Sequence, residues 1–197
     1  MNKQQLANKI WAAANKMRSK IEANEYKDYI LGFIFYKFLS DKEEAYFVNK
    51  GLPKDDMKQY LVEEDEKTVE YAQKNLGYFI AYDHLFSTWI NNKENNFSVS
   101  VVKDALSAFS RLINKSRENV FKDIFKTLDT GISNLGSTDL SRTKAISDLI
   151  FLIDDIPMDG KQDYDVLGFV YEYLISNFAA NAGKRQENFI HHTKYLS

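Results

Sequence analysis

Tyr29-Ile30-Leu31-Gly32-Phe33-Ile34-Phe35-Tyr36-Lys37-Phe38-Leu39 is the most apolar stretch of this 197-residue chain. It has little more than half of the ~18 residues that a membrane-spanning helix needs, and Lys37 sits inside it. It reads as a helix of a protein core. The spacing extends that helix from about Glu25 to Asn49, apolar nearly all round in its first half and charged in its second, where Asp41, Lys42, Glu43 and Glu44 appear. This asymmetry predicts a central helix whose end emerges from the core.

On the N-terminal side, Leu6, Ile10, Ala13, Ala14, Met17 and Ile21 recur at three- and four-residue steps, one face of a helix beginning near Lys3. On the C-terminal side, Gly51 and Pro53 suit a helix stop and the first turn of the next helix. Two short polar helices are expected near Lys54 to Leu61 and Glu63 to Asn75. The run Glu63-Glu64-Asp65-Glu66 suits the positive end of the second helix dipole. Leu76-Gly77-Tyr78-Phe79-Ile80 reads as a short strand or an extended connector, and no strand partner is evident elsewhere. An aromatic helix follows from His84 to Asn91, then one capped by Ser98 and carrying Val102, Ala105, Leu106, Phe109 and Ile113. Val120 to Leu128 is amphipathic, Asp129 to Asp139 reads as a loop, Ser141 opens a helix, and Asp165 to Ala182 is the last. The expected fold class is all-α, a single multi-helix domain of roughly seven or eight helices, with residues 76–80 as the one extended candidate.

The chain has no cysteine and a net charge of -2. Disulfides, thiolate nucleophiles and Cys-ligated zinc or iron-sulfur clusters are thereby excluded. A domain of this length buries roughly 70% of its unfolded surface, enough to fold without metal or cross-links. With a pI near 6.0, phosphate attraction is not global, so any DNA contact has to be local. The N-terminus lacks the apolar run and cleavage site of a signal peptide, and a cytoplasmic protein with no membrane partner is expected.

Few residues carry recognisable chemistry. Gly131 and Gly136 have the outer spacing of a phosphate-cradling loop, but Ser137-Thr138 stand where Lys-Ser/Thr is required. His84, His191 and His192 lack convergent further ligands for zinc. Asp154, Asp155 and Asp159 surround a proline turn and read as caps of a helix boundary rather than a cation site. No catalytic, cofactor-binding or metal residue is assigned. Lys16, Arg18 and Lys20 form a cationic helix end with no acid among the first twenty-one residues, and Lys184 and Arg185 follow the helix stop Gly183. These five residues are the candidate DNA contacts. Solvated helix ends and C-terminal caps explain the same residues without a ligand.

Two segments, taken together, bring a family into view. One runs from Asn8-Lys9-Ile10-Trp11 through Met17-Arg18 to Glu25-Tyr26-Lys27-Asp28-Tyr29-Ile30-Leu31-Gly32 and Phe35-Tyr36-Lys37-Phe38-Leu39-Ser40-Asp41. The other is Asp165-Val166-Leu167-Gly168-Phe169-Val170-Tyr171-Glu172-Tyr173-Leu174-Ile175, ending in Phe178-Ala179 and Gly183-Lys184. In this order and separation, across about residues 1–185, they resemble the N-terminal helical domain of the modification (M) subunit of type I restriction-modification systems. The resemblance implies a DNA adenine-N6 methyltransferase using S-adenosylmethionine. It also implies partners: the catalytic domain of the M subunit, a specificity subunit, a restriction subunit and DNA.

The chain departs from that family in its chemistry. The catalytic motif Asn-Pro-Pro-Phe/Tyr, which holds a flipped adenine, cannot be present, because the only prolines are Pro53 and Pro157. This chain is therefore expected to be inactive alone. Its tail, residues 186–197, departs too: the family continues Gly-x-Phe-x-Thr-Pro, whereas here Gln186-Glu187-Asn188-Phe189-Ile190-His191-His192-Thr193-Lys194-Tyr195-Leu196-Ser197 follow. Permitted codons for Gln186 to Leu196 exist that, read in a frame opening on the last base of codon 186, spell Gly-Lys-Phe-His-Thr-Pro-His-Glu-Val-Ser. The expectation is a domain over 1–185 with a short atypical tail left by a frameshift, and the nucleotide sequence across codon 186 decides it. The alternative functional reading is a stand-alone helical protein-interaction module with no enzymatic role.

Overall fold

The computed structural model describes residues 1–17, 23–92, 97–121 and 125–178. Among them the α-helices are α1 (Lys3–Met17), α2 (Ala23–Asn49), α3 (Met57–Tyr60), α4 (Glu66–Asn75), α5 (Phe86–Asn91), α6 (Val99–Leu112), α7 (Glu118–Phe121), α8 (Lys126–Gly131), α9 (Asp139–Ile153) and α10 (Val166–Phe178). Short 3-10 turns occupy Lys54–Asp56, Tyr82–His84, Lys115–Arg117 and Ile132–Leu135. The described residues contain no strand, and the all-α expectation holds. The segments outnumber the seven or eight expected because one-turn pieces such as α3 and α7 stand apart from the longer helices. No helix among the described residues is long and apolar enough to cross a membrane.

Helix α2 is the axis of the core. Tyr29, Ile30, Phe33, Ile34, Phe35, Tyr36 and Leu39 are all buried, so its first half is surrounded, as an all-round apolar pattern requires. Helices α1, α5, α8, α9 and α10 pack against it. Leu6, Ile10, Ala13 and Ala14 form the inward face of α1, which also packs on α9 and α10. Trp89 of α5 stacks on Tyr36, with ring centroids 4.9 Å apart. Helix α2 ends in a Schellman motif: Gly51, at φ +94°, donates to Val48 O, and Leu52 donates to Phe47 O at 2.9 Å.

The second half of α2 emerges on one side only: Ala45, Val48 and Asn49 are exposed, while the opposite face stays in the core. Ser40 and Glu43 have no exposed surface, and Phe47 is buried. The extended segment around Tyr78 to Ala81 lies over them. With no sheet to join, its backbone takes side-chain partners: Ile80 N–H donates to Glu43 Oε1 at 2.8 Å, and Phe86 N–H to Ser40 Oγ at 2.8 Å. In return the Tyr78 hydroxyl donates to Leu39 O and the Tyr36 hydroxyl to His84 O, each at 2.8 Å. Buried backbone groups need partners, and the polar residues of α2 supply them.

Two further differences have local causes. The expected loop from Asp129 to Asp139 is helical over much of its length, because Ile132 and Leu135 are buried at the three-residue step that suits a 3-10 turn. Helix α9 starts at Asp139, not Ser141: Thr138 is the N-cap and Ser141 its reciprocal partner three residues on.

Candidate subunit and nucleic-acid interface

Of the five cationic candidates, the described residues place one. Lys16 is exposed in the last turn of α1, where a cation also complements the helix dipole. Arg18, Lys20, Lys184 and Arg185 lie outside the described residues, as do His191 and His192 and the tail 186–197. The other lysines of α1 are engaged. Lys9 pairs with Asp155 in the turn after α9, and the Lys3 ammonium lies 5.6 Å from the centre of the Tyr164 ring. The Tyr164 hydroxyl donates to Met1 O at 2.9 Å, so α1 and α10 start side by side.

The remaining sequence candidates are absorbed by the fold. Gly131 closes α8, and its carbonyl accepts the Tyr29 hydroxyl. Gly136 is extended, at φ 172°, ahead of the α9 cap. Asp159 accepts the Lys161 N–H at 3.1 Å. No group of three His, Asp or Glu side chains able to hold a metal ion occurs among the described residues. His84 lines an open cleft of about 410 Å³ with Lys58, Leu61, Glu63, Glu64 and Asp83. Burial lowers its pKa, against the pull of Asp104, Asp83 and Glu63. On the rim, Arg111 holds Glu63 through two bonds of 2.9 Å, and the guanidinium lowers the Glu63 carboxyl below its ordinary range.

Sequence reasoning missed the most unusual ionisable group. Glu43 is fully buried, and while its Oε1 takes the Ile80 N–H, its Oε2 has no hydrogen-bond partner. Burial pushes its carboxyl well above the usual carboxylate range, against the Ile80 bond, with Glu44 adding to the rise. The signal that would have found it is the register: Leu39, Glu43 and Phe47 share one face of α2, and the outer two are apolar.

What the described elements amount to is a helical scaffold with one of the candidate cations, Lys16, exposed at the end of α1. Comparison with known proteins gives that scaffold a family. The model described as "HsdM N-terminal domain" matches residues 6–153. A curated relative, the type I restriction enzyme MpnII methylase subunit of Mycoplasma pneumoniae, is 30% identical over 190 residues, covering 89% of this chain and 35% of the relative. A crystal structure of a type I restriction-modification methyltransferase subunit from Streptococcus thermophilus aligns with a TM-score of 0.72 and 25% identity, over 93% of this chain and 40% of that one. The chain thus spans little more than a third of the length of the curated relative it matches. With the family model covering most of the sequence and the fold agreeing across nearly all of it, the chain belongs to the HsdM N-terminal domain family.

Proposed function

We propose that this domain is the helical part of an adenine-N6 DNA methyltransferase subunit. It embraces DNA together with the catalytic domain of the M subunit, a specificity subunit and a restriction subunit, in the cytoplasm. The observation that supports this most is the match of the family model to residues 6–153, alongside a fold shared with a methyltransferase subunit over 93% of the chain.

The methyl-transfer chemistry is assigned elsewhere in the intact subunit. S-adenosylmethionine, the methyl donor of the proposed reaction, does not fit the described residues: they hold no sheet edge, and Gly51, Gly77 and Gly160, the glycines at positive φ, follow helices and turns. Pro53 and Pro157 are followed by Lys54 and Met158, so no Asn-Pro-Pro motif exists to hold a flipped base. The domain's own part is contact. Lys16, with Arg18, Lys20, Lys184 and Arg185, supplies phosphate contacts.

The test is assembly. Mixed with the specificity subunit of its system, the full chain should co-elute with it, and duplex DNA should bind the assembly with an affinity that falls as salt rises. The chain alone should transfer no labelled methyl group to DNA. Failure to bind either the specificity subunit or DNA would overturn the reading, and unchanged DNA binding after charge reversal at the five cations would remove them from it.

A further inference from the structure

We draw no further inference here: the strongest candidate, the solvent-facing ridge of α1 that carries Gln4, Asn8, Trp11 and Asn15, is an exposed, uncharged helix face, and nothing in the structure shows what covers it.

Discussion

Glu43 shows how one side chain can set the pH response of a whole fold. Its carboxyl is buried and raised well above its ordinary value of 4.5. As pH climbs past that value the unfolded chain releases this proton while the folded chain keeps it. The stability it contributes is therefore complete below about pH 4.5 and is lost as pH rises toward the folded pKa, about 1.4 kcal/mol for each unit of upward shift crossed. Glu43→Gln is uncharged at every pH, and its amide oxygen can still accept the Ile80 N–H. The melting temperature of E43Q relative to wild type should therefore climb from about pH 5 to pH 8. Thermal melts at the two values check this, and a constant difference would mean that Glu43 is ionised in the fold. At this scale the sequence was hard to read. The core residues Tyr29 to Leu39 announce themselves by being apolar, whereas the one sign of the buried acid is that Glu43 falls between Leu39 and Phe47 on a single face of α2. Gly131 is similar: its spacing to Gly136 suggested a phosphate loop, whereas a side chain there would meet the Tyr29 hydroxyl. Only the fold shows that its smallness serves packing.

Elements were more legible, because periodicity and caps are local. The start of α1, the end of α2 at Gly51 and the aromatic helix α5 lie close to where their sequence signals put them. Where the signals failed, the cause was again local: in α9 the cap is Thr138, three residues before the Ser141 that the sequence picked out. Thr138 Oγ1 accepts the Ser141 N–H at 3.1 Å, and Ser141 Oγ accepts the Thr138 N–H at 3.1 Å. Removing the Thr138 hydroxyl leaves first-turn donors without a partner, so Thr138→Ala should cost about 1 kcal/mol. For a domain of this size that lowers the melting temperature by roughly 2–4 °C. Thr138→Ser keeps the oxygen and should recover most of the loss in the same melt.

At the scale of the molecule, contacts between the ends of the chain decide whether it is one cooperative unit. Periodicity made the all-α class legible and the resemblance pointed to the family, but periodicity alone says nothing about which faces meet. Here α1 packs on α9 and α10, more than a hundred residues away, as well as on α2. Leu6, Ile10, Ala13 and Ala14 of α1 are fully buried, as are Ile146 and Leu149 of α9. Lys9 to Asp155 and Tyr164 to Met1 tie the same joint at its edge. Burying Leu6 and Ile10 is worth about 1.5–3 kcal/mol each, and the apolar faces that α1 covers on its neighbours add a comparable amount. Typical domain stability is about 5–15 kcal/mol, so removing α1 takes away a sum of the same order. A chain lacking residues 1–17 should therefore lose its sharp thermal transition and expose apolar surface to a hydrophobic dye, rather than melt a few degrees lower. A cooperative melt near the wild-type temperature would instead make α1 an appended arm, and Lys16 would then sit on an element free to move toward DNA independently of the core.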